Sequence, residues 1–388
     1  MVSKFVIKKE TRDRCRIINL SPGSQEKFTP INMELYCYLY ELPHLDFSVF
    51  FRVGREIIEY IKPQEVSQLY LKNIWSATQR QGADIEVCVL KQDYRKLLAV
   101  IDYVRQKKLK ALIKKDRTLD LKTLEVFADL SGASQMIIKG GVDGAVAKKA
   151  AAATSYMVAN LMKNEAAMST LSRMIAIDPS LYDHSAAVAM FAGLMAIRHK
   201  GRTITEKQAA LVAQCGLYHD IGKSCVPSYI LNKPGSFNRE EYEVMKTHAQ
   251  QGHKELDLAR KRGAPIPSVV SRVALEHHER FAGHGYPYGK KGRAEDDPQN
   301  GIHLYTRFVS IADAYSALLM ERIYKPALSP AKAIELMSEH AEQDFDMVIF
   351  REFIAQIKGS LASTKRGGVD ERIHHDGITL HYNRSKVV

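Results

Sequence analysis

Residues 209–223 read AALVAQCGLYHDIGK, and residues 273–287 read VALEHHERFAGHGYP. Each is an apolar helical run that ends in adjacent polar side chains able to hold a cation, with glycine close behind. In the first, the helix Ala209 to Tyr218 delivers His219 and Asp220. Neighbouring side chains on a helix splay by about 100°, so both face one point only where the helix ends or where that point is extended, as a metal pair is. An aspartate between two cations can bridge them. In the second, consecutive His277 and His278 lead through Glu279 and Arg280 into Gly283, His284, Gly285, Tyr286 and Pro287. Glycine there suits a backbone that must pass close to a ligand, because it lacks the Cβ that would obstruct it.

Three more residues extend this pattern. His184 opens the apolar helix Ser185 to Ile197, and His248 follows Met245 in a helix running to about Arg262. Asp313 lies inside the apolar stretch Phe308 to Leu319, where a carboxylate needs a cation or hydrogen bonds to offset its desolvation. Taken singly, His184 reads as a polar helix start and His248 as an exposed helical histidine. Taken together, five of the 14 histidines sit on or at the ends of helices, with two aspartates in apolar surroundings. Imidazole and carboxylate donors without thiolates suit iron, manganese, zinc or nickel and disfavour an all-oxygen calcium or magnesium cage; we expect iron or manganese. Two such ions roughly 3.5–4 Å apart can activate a bridging water and stabilise the entering and leaving oxygens of a displacement at phosphorus. That is the design of a phosphodiester or phosphomonoester hydrolase.

The rest of the composition narrows the class. A chain of 388 residues with 45% hydrophobic content is long enough for two or three globular domains. The most apolar candidate for a membrane span, Val142 to Met162, is broken by Asp143, Lys148 and Lys149, and Met1 to Lys9 carries no apolar block of secretory type; the expectation is a cytoplasmic protein that does not cross a membrane. The five cysteines are odd in number and lack CxxC spacing, against both a disulfide framework and a thiolate zinc site. A formal charge of +12 favours polyanionic partners. The absence of zinc-finger spacing, aromatic RNA-binding motifs and leucine-zipper heptads argues against a dedicated DNA or RNA binder.

Along the chain, Phe47 to Val53 and Asp84 to Leu90 read as strands, and Glu65 to Thr78 and Asp93 to Gln106 as helices. These form a small α/β domain ending near Arg117, with the basic run Lys107 to Lys115 as a solvated helix end. From Leu119 helical periodicity dominates, with short strand alternatives around Met136 to Ile138 and near the C-terminus. Ala145 to Met162 is a long helix of strong formers, read as core packing first and as a connector or homodimer contact second. Asn238 and Glu241 make a capping box, and Ser268 is placed to cap the next helix. The domains expected are 1–125, small α/β; 126–170, a helical connector; 171–365, an all-α bundle; and 366–388, a flexible basic tail.

The segments His219 to Lys223, His277 to Arg280 and Gly285 to Pro287 resemble the HD-GYP domain, and the likeness runs through Lys233 to Phe237, Glu241 to Gly252, Ile311 to Lys325, Phe345 and Asp346, over roughly Leu171 to Ile357. The resemblance implies an HD-type helical bundle that hydrolyses cyclic di-GMP, by way of pGpG to GMP, at an iron or manganese centre of two or three metals. Carried over by position, His184, His219, Asp220, His248, His277, His278 and Asp313 would be ligands, with Asp220 bridging. Lys223 would touch phosphate or the attacking water. Tyr286, Arg322 and Lys325 fall where the family holds the nucleotide and its phosphates, Arg322 suiting a bidentate contact. Protein partners would be reached through the N-terminal domain or the Gly285 to Pro287 loop.

The sequence also departs from that pattern. Members with three metals carry a Glu about a turn before the first histidine, whereas Ser180 stands four before His184, so two metals are expected. Ala282 replaces an aspartate before the loop glycine, and Ser316 replaces one three residues after Asp313. These changes bear on loop order and substrate fit, and they keep two alternatives open: a weakly catalytic cyclic di-GMP receptor or scaffold, and a hydrolase of another cyclic dinucleotide.

Overall fold

The computed structural model describes residues 16–19, 27–31, 38–39, 41–53, 56–65, 85–177, 183–231, 233, 236–293, 300–320 and 328–365. Backbone contacts divide the chain into two units, Met1–Lys108 with Ser228–Pro234, and Leu109–Pro227 with Gly235–Val388. The expected helix over Glu65 to Thr78, apart from Glu65 itself, and the tail beyond Lys365 lie outside the described residues.

The first unit is built on an antiparallel sheet of strands β1 (Arg16–Asn19), β2 (Phe28–Pro30), β3 (Val49–Val53), β4 (Glu56–Ile61) and β5 (Ile85–Leu90), in the order β1-β4-β3-β5-β2. Helix α1 (Tyr94–Lys115) supplies Leu97, Ile101 and Val104, at helical spacing, to a core with Val49, Phe51, Val87 and Val89, which alternate along β3 and β5. α1 extends past Gln106 through the basic run that was read as its solvated end. Leu109 and Leu112, at i and i+3, are buried and keep the helix amphipathic, while Lys114 and Lys115 occupy its last turn, where positive charge complements the exposed carbonyls.

The second unit is helical: α2 (Leu121–Gly140), α3 (Gly144–Leu161), α4 (Ala167–Ile177), α5 (His184–Ile197), α6 (Glu206–Tyr218), α8 (Arg239–Lys261), α9 (Ser268–Glu276), α10 (Leu304–Leu319), α11 (Pro330–Ser338), α12 (Ala341–Asp344) and α13 (Met347–Lys365). The short α7 (Ser228–Leu231) falls with the first unit. The strand alternative at Met136 to Ile138 is wrong: those residues lie in α2, whose start is capped by Asp120 accepting from the Thr123 amide. Ser268 does not cap α9 but is its first helical residue, behind Pro267 in extended conformation. The Asn238–Glu241 capping box forms as expected and starts α8.

Helix α5 sits at the centre of this bundle. Every residue from Ser185 to Ala196 is buried, as a helix apolar on all sides must be. Its small residues allow α6 to pack close: a Cβ on Gly216 would meet the Ala189 backbone at 2.9 Å, and one on Gly193 would meet the Ala213 Cβ at 2.9 Å. This antiparallel contact brings the start of α5 beside the end of α6. Among the described residues no helix is long and apolar enough to cross a membrane.

Candidate metal centre

Each chemically active side chain emerges where the local fold forces it inward. Asp183 caps α5, accepting from the Ala186 amide, so His184 stands on its first turn. His219 ends α6, and Asp220 precedes a tight 3-10 turn over Ile221–Cys225. That turn packs closely on α8 at Gly222, where a Cβ would fall 2.0 Å from the His248 carbonyl oxygen and 2.4 Å from the Gly252 nitrogen. His248 therefore faces Asp220 from the middle of α8. His277 and His278 leave the end of α9, and Asp313 projects from α10.

Two donor groups result. His184, His219 and Asp313 form one, and Asp220, His248, His277 and His278 the other, the donor atoms within each lying no more than 4.8 Å apart. Asp220 stands between them. Its Oδ2 is 3.2 Å from His219 Nε2 and 3.6 Å from His184 Nε2, and its Oδ1 is 3.5 Å from His248 Nε2 and 3.7 Å from His277 Nε2. Asp313 Oδ1 lies 3.1 Å from His184 Nε2 and 3.6 Å from His219 Nε2.

The rings are oriented by their other nitrogens. His219 Nδ1 meets the Gly216 carbonyl at 2.7 Å, His248 Nδ1 the Met245 carbonyl at 2.7 Å and His277 Nδ1 the Ala274 carbonyl at 2.8 Å. A carbonyl only accepts, so Nδ1 carries the proton and a neutral ring turns the Nε2 lone pair to the centre. His248 Nε2 and His277 Nε2 then face each other at 3.2 Å as two lone pairs, which is no hydrogen bond and calls for a cation between them. His219 Nε2, His278 Nε2 and Asp220 Oδ1 are buried with no hydrogen-bond partner. Orphaned acceptors converging in this way fit a metal site.

The titration behaviour agrees. Burial pushes the His248 ring down to about 3, and burial with the neighbouring His277 and His248 holds His278 well below its usual value; both stay neutral lone-pair donors. Burial works against ionisation of Asp220 and Asp313, yet the histidines beside them, with Lys223 at Asp220, hold both carboxyls well below the usual range. His219 is the exception: burial lowers it, but Asp220 and Asp313 outweigh burial and raise it to about 10. A proton on His219 and a metal cation thus compete for the same negative charge.

Around this centre lie Ser316 and Glu279, whose contacts the sequence did not reveal, together with the loop and lysine it had marked. Ser316, read as a departure, places its Oγ 2.8 Å from His184 Nδ1; its position one helical turn after Asp313 was the available signal. Glu279 accepts from the Tyr288 and Lys290 amides, both at 2.8 Å, and so fastens the glycine loop. Gly285 is required there, since a Cβ would sit 2.4 Å from the His278 carbonyl oxygen. Tyr286 stacks on His278, with ring centroids 4.7 Å apart and planes at 28°. Lys223 Nζ lies 2.6 Å from Asp220 Oδ2. Arg322 and Lys325 fall outside the described residues.

A family profile described as HD domain matches residues 163–349. A cyclic di-GMP phosphodiesterase of Pseudomonas aeruginosa is 32% identical over 233 residues, covering 59% of this chain and 53% of that protein. A 3′3′-cGAMP-specific phosphodiesterase of Vibrio cholerae is 35% identical over 150 residues, covering 37% of this chain and 32% of that protein. This chain thus spans about half or less of the length of these relatives. Among solved structures, an HDG"Y"P protein from Bdellovibrio bacteriovorus matches 89% of this chain and all of that one with a TM-score of 0.51 at 14% identity, a likeness of fold. Residues 163–349 thus match an HD domain, and this part of the chain is similar to proteins named as cyclic dinucleotide phosphodiesterases.

Proposed function

We propose that the HD-GYP-type domain of this chain is a metal-dependent phosphodiesterase that hydrolyses cyclic di-GMP, releasing pGpG or GMP. The ligands are His184, His219, Asp220, His248, His277, His278 and Asp313, and the metals are two divalent ions, iron or manganese. The supporting observation is Asp220, which turns one carboxylate oxygen to each donor group. When bound, such a pair of ions supplies positive charge to the entering and leaving oxygens of displacement at phosphorus. The chain's own residues do the rest. Asp220 and Asp313 keep the centre anionic until it is loaded, Lys223 is held at Asp220 to meet the phosphate or the incoming water, and Tyr286 closes the His278 side. Arg322 and Lys325 are assigned to the nucleotide phosphates, and the sheet unit to an accessory role.

The names of the relatives support the cyclic dinucleotide class, and one of them, 35% identical over a shorter stretch of 150 residues, introduces a second substrate within it, 3′3′-cGAMP. The test is elemental analysis of anaerobically purified protein, followed by chromatography of the products from both nucleotides. About two ions per chain with release of pGpG or GMP is the expected result. Metal with intact nucleotide would replace the enzyme by a receptor, and faster turnover of 3′3′-cGAMP would reassign the substrate.

A further inference from the structure

Ala282, where the sequence departs from the family pattern, has no side chain that can hydrogen-bond, so the glycine loop is fastened from elsewhere. What holds it is α12. The Phe281 amide donates to the Asp344 carbonyl at 3.2 Å and the Ala282 amide to the Gln343 carbonyl at 2.8 Å, filling acceptors that the end of a helix leaves free. Gly283, at a φ of +89°, turns the chain, and His284 Nε2 then lies 2.7 Å from Asp344 Oδ1. An ionised carboxylate only accepts, so Nε2 is the donor, whereas His219, His248 and His277 donate from Nδ1. Phe281 is held from another side as well: its carbonyl accepts from the Gly292 amide at 2.9 Å, and the Arg307 guanidinium lies over its ring at 5.6 Å. Two residues beyond His284 comes Tyr286, stacked on His278. The amide contacts are backbone, and nearly any residue can make them. The contact between His284 and Asp344 is written in side chains, and neither residue belongs to the ligand set or to the phosphate contacts assigned above.

We propose that His284 and Asp344 are positioning residues, a side-chain latch that holds the glycine loop in its binding-competent arrangement before substrate arrives. The effect on loop order stands by itself; the effect on turnover rests on the proposed phosphodiesterase reading. A loop that is ordered only part of the time lowers apparent affinity by the ordered fraction and leaves the chemical step at saturation unchanged. The pair is partly exposed, His284 at 36% and Asp344 at 18% of side-chain area, so water competes and the effect of losing it is modest, about threefold to tenfold.

The test is hydrogen–deuterium exchange on metal-loaded full-length protein without nucleotide, read on peptides covering residues 279–288, with metal content and thermal midpoint recorded on each sample. His284→Ala and Asp344→Ala should each speed exchange of that stretch by roughly threefold to tenfold, with both controls unchanged. The double variant should be no faster than either single one, because the two side chains act as one contact. Asp344→Asn should restore most of the protection, since its amide oxygen still accepts. With cyclic di-GMP as substrate, KM should rise by a similar factor at constant kcat. Unchanged exchange in His284→Ala overturns the latch, whether or not Asp344→Ala folds, and so does a double variant whose effect is the product of the two. Faster exchange throughout the helical unit with a lowered midpoint overturns it too, reducing the pair to a general stabilising contact. A fall in kcat at constant KM would move His284 into the chemical step and end the positioning role. Exchange that depends on the latch in a protein that turns over no cyclic di-GMP would retain the latch and remove the proposed activity.

Discussion

The two donor groups differ in how they are held. His184, His219 and Asp313 come from α5, α6 and α10, and the contact between α5 and α6 is set by small residues at close range. Asp220, His248, His277 and His278 depend on a turn, a helix middle and the start of a loop, drawn together where Gly222 meets α8. The orientation of the rings differs too. In the second group His248 and His277 point their Nδ1 atoms at carbonyls three residues back in the chain. In the first, His184 relies on Ser316, 132 residues away. One group is aimed by local backbone, and the other depends partly on a side chain that tertiary packing must deliver. Asp220 is the only residue whose two oxygens face donors of both groups among the described residues.

That comparison is broken most completely at Asp220. Asp220→Ala should empty both groups together and lower hydrolysis by roughly a thousandfold or more, since both ions lose a shared anionic ligand; elemental analysis checks it, and retention of one full equivalent of metal would mean that the carboxylate serves one group only. His248→Ala acts on one side. Its expected outcome is about half the metal content, with the first group still loaded and turnover reduced on the order of a hundredfold. Loss of all metal from this variant would make the two groups a single cooperative site. The finest probe is Ser316→Ala, which removes the partner of His184 without touching a ligand. Outer contacts of this kind are worth roughly 10-fold to 100-fold in metal affinity, so a competition titration should show weakening confined to one of two binding steps. Equal weakening of both steps would dissolve the distinction drawn between the groups.

Much of this arrangement was legible because its parts are local. The helix ends at His219 and His277, the Asn238–Glu241 cap and the apolar run around Asp313 each announce themselves within a few residues, and hydrophobic period with capping chemistry sufficed to place them. Ser316 stood out in the sequence only as a departure, because its partner His184 lies on another helix. The start of α9 was displaced by a residue, since a serine beside a proline satisfies the same pattern in either position. The helix read to Gln106, with the lysines as its solvated end, runs on to Lys115 because Leu109 and Leu112 continue its buried face.

The carbonyl contacts of His219, His248 and His277 share one spacing, each ring reaching the residue three before it. In α6 and α9 the carbonyl concerned lies in the last turn, where the helix leaves acceptors without amide partners. Each imidazole is therefore aimed by the helix that carries it, before that helix meets any other. Assembly of the centre becomes a matter of docking pre-aimed parts, and the entropy of ring rotation is lost piecemeal in local structure instead of all at once at the moment of metal capture.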